Sequence, residues 1–340
     1  MTLPLDTDAV AGWLSAHMPG FSCPVRAQQV MGGQSNPTYL LDTPGGRYVL
    51  RRKPPGKTLK SAHAVEREFR VQRALGATSV PVARMHVLCE DDSVIGSPFY
   101  VMAHVQGVNH DDPRLPDHRP EVRQAIFAEM NRVLAAIHDV DLAATGLADY
   151  GPQGGYFARQ LSRWSGQYRA SETETLEAMD TLMDWLARNP PEDDGQVALV
   201  HGDYRLDNLR FDPVSAECRA VFDWELSTLG HPTADLAGVL MQWAMPAGAQ
   251  GRGLAGVDRA AFGIPSDQAF LDAYCTARDI PGLPRFNRTL AFSFFRMGAI
   301  LQGVKKRALD GNAADPGRAL KLGAFVTDCA KLGLRAAKED

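Results

Sequence analysis

The stretch from Val200 to Glu225, VHGDYRLDNLRFDPVSAECRAVFDWE, constrains the fold more than any other part of the chain. It reads as strand, polar turn, strand, turn, strand. Ala198 to Val200 lead in, Asn208-Leu209-Arg210-Phe211 extends away, and Asp212-Pro213 turns the chain. Arg219-Ala220-Val221-Phe222 then returns to Asp223-Trp224-Glu225. The pattern predicts Asp203, Asn208 and Asp223 at one end of a small hairpin. Two carboxylates and an amide are hard oxygen ligands of the kind Mg²⁺ prefers, an ion that keeps coordination positions for water and substrate phosphates.

The spacing narrows this further. His201-Gly202-Asp203 is followed by Asn208 five positions after the aspartate, and Asp223 comes fifteen positions later. Protein kinases use H-R-D-x-x-x-x-N and then D-F-G, where the first Asp takes the hydroxyl proton and the Asn and second Asp hold metal. The chain resembles the aminoglycoside phosphotransferase family, a kinase-like family with H-G-D-x-x-x-x-N followed by a hydrophobic residue, Asp and Trp or Phe. Around GGQSNPTYLL, LRRKPPG and VHGDYRLDN it is most similar to the kinase-like domains associated with certain acyl-CoA dehydrogenases. The resemblance covers most of residues 25 to 240.

That resemblance implies an α+β, bilobal protein-kinase-like fold. Residues 1–105 would form a nucleotide-binding lobe with a five-stranded antiparallel sheet and one helix. Residues 106–340 would form a mainly helical lobe carrying the catalytic hairpin. It also implies ATP as phosphoryl donor, with GTP open, and Mg²⁺ as the metal. Asp203 would be the catalytic base, and Asn208 and Asp223 the metal ligands. His201 and Asp235, the latter in Asp235-Leu236-Ala237 at a helix start, would support the loop.

The residues before this hairpin can be read on their own. Asp6 or Thr7 can cap a first helix, with Val10, Trp13, Leu14 and His17 along one stripe. Met31-Gly32-Gly33-Gln34-Ser35-Asn36 bends at its glycines, and consecutive N–H groups in such a turn can cradle phosphate. Gly33, Ser35 and Asn36 are the candidates there. In Arg47 to Lys53 strand alternation puts Val49, Arg51 and Lys53 on one face and Leu50 and Arg52 on the other. The resemblance expects a lysine at Arg51. Arginine keeps the charge and can fork onto two oxygens, with Lys53 as the alternative.

Ser61 to Leu75 reads as a helix with Val65, Phe69, Gln72 and Leu75 in one stripe and Glu68 inside that arc. A carboxylate in an apolar stripe is costly unless paired, which makes Glu68 the partner for Arg51. Val80-Pro81-Val82 with Met85 to Leu88 reads as one strand, and Pro98 to Val105 as another. By resemblance, the Ala103 carbonyl and the Val105 N–H would read an adenine edge. From Pro120 to His138 apolar residues recur at three- and four-residue spacing, a helix.

Tyr156 to Ala170 places Arg159 and Arg163 at i,i+4, with Trp164 and Arg169 nearby. Such a face is either solvated and paired with Glu172 and Glu174, or a docking surface for an anionic substrate. Beyond Met241 helices alternate with Gly/Pro-rich joints, and base (Arg278, Arg285, Arg288, Arg296, Lys305, Lys306, Arg307) exceeds acid. A polycationic aminoglycoside requires a carboxylate-lined pocket, which no acidic run here supplies. The acceptor implied by resemblance is a hydroxyacyl-CoA. A small alcohol such as choline, homoserine or a sugar is the alternative, and a silent nucleotide-binding scaffold the rival class.

With 340 residues and a net charge of −4, nothing points to nucleic acid or a membrane surface. Five scattered cysteines form no C-x-x-C and suggest reduced core residues. The acidic N-terminus lacks the features of a signal peptide, and a cytoplasmic protein is the expectation.

Overall fold

Strand alternation and one amphipathic helix build the first part of the molecule. The computed structural model describes residues 5–30, 36–54, 64–247, 252–313 and 315–340. Asp6 caps α1 (Thr7–His17), its carboxylate accepting the Ala9 N–H at 3.0 Å. Strands β1 (Arg26–Gln29), β2 (Thr38–Thr43) and β3 (Gly46–Arg52) follow as an antiparallel meander. Next come α2 (Val65–Leu75), β4 (Met85–Cys89), the single turn α3 (Asp92–Ile95) and β5 (Phe99–Ala103). The five strands form one antiparallel sheet in the order β1-β2-β3-β5-β4.

The pleat of β3 sends its side chains to two different cores. Leu50 is fully buried among Tyr39, Leu41, Phe99 and Val101, against Val10 and Leu14 of α1. Val49 packs on the other face with Val65 and Phe69 of α2 and with Tyr100 and Met102. Arg51 lies one pleat on from Leu50, opposite Tyr100 in the register, and therefore faces α2. All five residues of the expected stripe, Val65, Glu68, Phe69, Gln72 and Leu75, are buried. Val80-Pro81-Val82 is no part of β4. Pro81 has no N–H to give a ladder, and its carbonyl instead accepts the Val221 N–H at 2.9 Å.

The chain continues through α4 (Pro120–His138), α5 (Tyr156–Ser171), α6 (Glu177–Arg188) and β6 (Ala198–Val200). Then follow β7 (Leu209–Phe211), β8 (Cys218–Val221), β9 (Thr228–Gly230) and α7 (Thr233–Trp243). The rest is helical: α8 (Arg259–Phe262), α9 (Asp267–Ala277), α10 (Phe286–Leu309), α11 (Pro316–Gly323) and α12 (Val326–Lys338). Two units emerge, Met1–Asn109 with Asp141–Ala148 and Asn208–Ser227, and His110–Val140 with Asp149–Asp207 and Thr228–Asp340.

Here the central stretch departs from the sequence expectation. β7 and β8 form a hairpin in the first unit, but β6 does not join it. It pairs antiparallel with β9 in the second unit, Ala198 opposite Gly230. Gly230 is required there, since a Cβ would sit 2.7 Å from the Tyr156 ring. The second unit is cored by Phe157, Tyr168, Leu182, Phe292, Phe295 and Val326 around α10. Of the cysteines, Cys89, Cys218 and Cys329 are core residues. Cys23 is exposed and Cys275 half-buried, a correction to the expectation for those two. No described helix is long and apolar enough to cross a membrane.

Candidate active site

In the first unit the site is built around one guanidinium. Arg51 Nε lies 3.2 Å from Glu68 Oε2, and its Nη2 donates to Asp223 Oδ1 at 2.8 Å with Glu225 Oε2 at 3.6 Å. Glu68 is fully buried on α2, accepting from Asn36 Nδ2 at 2.7 Å and from the Tyr100 hydroxyl at 3.1 Å. Burial drives the Glu68 carboxyl up to about 7, with the like charges of Asp223 and Glu225 adding to it against the pull of Arg51. Burial works to lower the Arg51 guanidinium, but Glu68, Tyr100 and Asp223 outweigh it, so its proton is held more tightly than usual.

Asn208 and Asp223 flank the same end of the β7–β8 hairpin. The Phe222 N–H donates to the Asn208 carbonyl at 2.8 Å, which fixes the two segments next to each other. Asn208 closes a short 3₁₀ turn (Leu206–Asn208) and is buried. Asp223 adopts φ +65°, a left-handed conformation that L-residues other than glycine pay for. Three carboxylates share one arginine here, so the cluster carries surplus negative charge. Asn208 and Asp223 bring an amide and a carboxylate to this end of the hairpin, oxygen-bearing side chains of the type a small hard cation takes.

The other residues expected in this unit divide. Asn36 is buried, and its Oδ1 has no hydrogen-bond partner among the described residues. Gly33 and Ser35 lie outside the described residues. Lys53 follows β3, its N–H bonded to the Pro98 carbonyl. Ala103 ends β5 with its N–H on the Arg84 carbonyl, and the Val105 carbonyl accepts Arg210 Nη1 at 2.8 Å.

In the second unit Asp203 follows Gly202, whose φ of +83° makes the tight turn. The loop hangs from one buried carboxylate. Asp235, in the first turn of α7, accepts the N–H of His201 at 2.6 Å and of Gly202 at 2.8 Å. His138, at the end of α4, adds Nε2 at 3.3 Å, while its Nδ1 meets the Tyr274 hydroxyl at 2.6 Å. Burial lowers the His138 imidazole, against the pull of Asp235. Burial works to raise Asp235, but His138 and His201 overcome it and hold the carboxylate ionised. The Asp203 side chain is 30 % exposed, with Oδ2 3.1 Å from Arg205 Nε. Arg205 also reaches Asp207 Oδ1 at 3.4 Å, and Arg252 pairs with Asp207.

His138 and Arg205 make contacts at this loop that the sequence reading did not single out. A helix-end histidine looks ordinary until Asp235, 97 residues on, is found against it. Arg205, two residues after Asp203, could have been suspected from charge alone. On α5, Arg169 is bonded to Glu172 at 2.7 Å and Asp180 at 2.5 Å, so its charge is already offset. Arg159 and Arg163 are exposed.

Residues 26–285 match the phosphotransferase enzyme family, APH. The chain is 46% identical over 317 residues to mouse (Mus musculus) acyl-CoA dehydrogenase family member 10, covering 92% of this chain and 29% of that protein. It is 39% identical over 342 residues to human (Homo sapiens) acyl-CoA dehydrogenase family member 11, covering 98% and 43%. It thus spans less than half the length of these curated relatives. A crystal structure of a candidate aminoglycoside phosphotransferase from Ralstonia eutropha matches with TM-score 0.91 and 47% identity over 99% of both chains. The aminoglycoside phosphotransferase APH(4)-Ia, in a ternary complex with AMP-PNP and hygromycin B, matches with TM-score 0.63 over 92% and 95% of the chains. At 15% identity this is a likeness of fold alone. By sequence match, by its α+β kinase-like fold and by the loop and cluster just described, the chain belongs to the phosphotransferase enzyme family.

Proposed function

We propose that this chain transfers the γ-phosphoryl group of ATP to a hydroxyl of a small molecule, and that the acceptor is a hydroxyacyl-CoA. The observation that carries the reading is the buried Asp235 carboxylate, which holds the backbone of His201 and Gly202 and so fixes Asp203 in a partly exposed position. A general base needs that combination of fixed backbone and accessible carboxylate. Asp203 orients the hydroxyl and accepts its proton. The hydroxyl oxygen attacks the γ-phosphorus in line, the bond to the β,γ-bridging oxygen breaks, and ADP leaves. Arg51, held by Glu68, Asp223 and Glu225, offers its guanidinium to phosphate oxygens. Asn208 and Asp223 would hold Mg²⁺, which when bound supplies further neutralisation of phosphate charge.

The acyl-CoA reading is supported by the relatives, whose names place a chain like this one within acyl-CoA dehydrogenase family proteins. The test is Mg²⁺-dependent ATP consumption with hydroxyacyl-CoAs, small alcohols and an aminoglycoside, by wild type and Asp203→Asn. Stimulation by the CoA ester that is absent in Asp203→Asn, with nucleotide binding retained, is the expected result. Full turnover by Asp203→Asn would remove the base from its role, and stimulation by the aminoglycoside alone would replace the acceptor.

A further inference from the structure

Many basic side chains of the second unit have an acidic partner. Arg169 pairs with Glu172 and Asp180, Arg278 with Asp139, Arg285 with Glu192, Arg288 with Asp340, Lys305 with Glu174, and Lys306 with Asp310. Arg159, Arg163 and Arg296 are among the basic residues of that unit that carry no such pair. Among the described residues none of the three has a carboxylate within 4.0 Å.

These three gather in one place. The Cζ atoms of Arg163 and Arg296 stand 5.3 and 5.7 Å from the centroid of the Trp164 ring. The indole is itself held, its Nε1 donating to Gln160 Oε1 at 3.0 Å. Arg159 precedes Arg163 by four residues on α5, so the two share a face, and Arg159 Nη2 donates to the Pro152 carbonyl at 3.1 Å. Tyr156 lies a further turn back on that face. Burial raises its phenol, with the charge of Arg296 acting against that rise, Asp235 adding to it, and Arg159 and Arg163 acting against it.

The cluster is joined to the catalytic loop. Arg296 Nη2 donates to the Gly202 carbonyl, the residue before Asp203, at 3.1 Å, while its buried Nε has no hydrogen-bond partner among the described residues. Three cations held together without an anion repel one another, and a stacked guanidinium keeps its N–H edge available for an oxyanion. A phosphate answers both needs, because it brings more than one negative charge and accepts paired N–H groups.

We propose that Arg163, Trp164 and Arg296, with Arg159 at the edge, bind a phosphate group that the phosphoryl acceptor already carries, beside the loop that holds Asp203. The inference rests on the reading of the chain as a hydroxyl kinase and narrows its substrate class to phosphate-bearing alcohols. A polycationic acceptor would be repelled by the same residues.

The experiment presents one hydroxyl in three forms: as a hydroxyacyl-CoA, as the matching hydroxyacyl-pantetheine without phosphates, and as the free hydroxy acid. Steady-state kinetics are measured with Mg²⁺ and ATP, and CoA binding without ATP is measured by calorimetry. Arg163→Gln and Arg296→Gln are each expected to raise KM for the CoA ester about tenfold or more and to weaken CoA binding in parallel. In Arg163→Gln, KM for ATP and KM for the pantetheine ester should stay as in wild type, as should every constant in Arg335→Gln, an exposed control on α12. Arg163 is exposed, so its variant separates binding from folding. Unchanged KM and CoA affinity in Arg163→Gln would overturn the proposal, as would failure of the wild type to bind CoA. Equal sensitivity of the free hydroxy acid would overturn it in favour of a carboxylate. Arg163-dependent CoA binding with no phosphorylation of any form would sustain the subsite and refute the kinase reading.

Discussion

Arg51 donates from Nη2 to Asp223 Oδ1 at 2.8 Å, joining β3 to the end of a hairpin 172 residues further along the chain. Through Nε the same guanidinium meets Glu68, so one side chain ties together strand, helix and hairpin of the first unit. It does so with two separate nitrogens of one planar guanidinium, where a lysine would have to reach both carboxylates from a single ammonium nitrogen. Arg51→Met leaves Glu68 buried without its counter-charge and should cost about 3–5 kcal/mol in urea denaturation. Arg51→Met with Glu68→Met should recover part of that loss. Simple addition of the two single costs would show that the pair is not coupled.

Asp235 satisfies two backbone donors and one imidazole from a fully buried position. Asparagine can keep one oxygen but must turn an NH₂ toward a donor on the other side. Asp235→Asn should therefore destabilise the protein by about 2–5 kcal/mol, the cost of buried donors left unmet. Because the loop bearing Asp203 loses its anchor, turnover should fall at least about tenfold while KM for ATP changes little. A variant that lost stability but kept kcat would make Asp235 a fold residue without influence on the loop.

The contrast between these two sites shows what the sequence could carry. Arg51 and Glu68 were legible because each belongs to a regular element whose period assigns its face, and a charge on an apolar face asks for a partner. The bounds of α4 and the cap of α1 were legible for the same local reasons. The pairing of β6 with β9 was not, since three-residue strands have no period to read and their neighbours are chosen by packing. Nor was the role of His138, which exists only once α4 and α7 lie together. The one-turn α3 was not read from the residues between the two strands, although Asp91 caps it and Gly96 ends it in a left-handed conformation. Glu225 lay within the stretch first singled out, yet no rule of spacing marks it as a third acid on Arg51.

The Glu68 carboxyl, moved by burial from 4.5 to about 7, predicts a pH dependence of stability. Its folded-state value is raised, so the folded protein holds this proton where the unfolded chain has released it. The contribution is fully present below about pH 4.5 and is lost as pH rises to about 7. Thermal melts of wild type and Glu68→Gln across that range should differ in slope. The wild type loses stability relative to the variant as pH rises, and the difference levels off above pH 7. Parallel curves would mean that Arg51 keeps Glu68 ionised throughout.

Asp223 combines a positive φ with a carboxylate directed at Arg51, and a non-glycine residue in that conformation is retained at a cost. Two variants separate the backbone from the carboxylate. Asp223→Ala and Asp223→Gly both delete the acid, but alanine keeps the left-handed penalty and glycine does not. Glycine should be the more stable by about 1–2 kcal/mol in chemical denaturation. Both should lose Mg²⁺-dependent nucleotide binding, because the oxygen proposed as metal ligand is gone from each. Equal stability of the two would show that the backbone relaxes out of this conformation once the carboxylate is removed. Nucleotide binding that stayed Mg²⁺-dependent in Asp223→Gly would place the metal on other oxygens, and the strain at this position would then serve only the contact with Arg51.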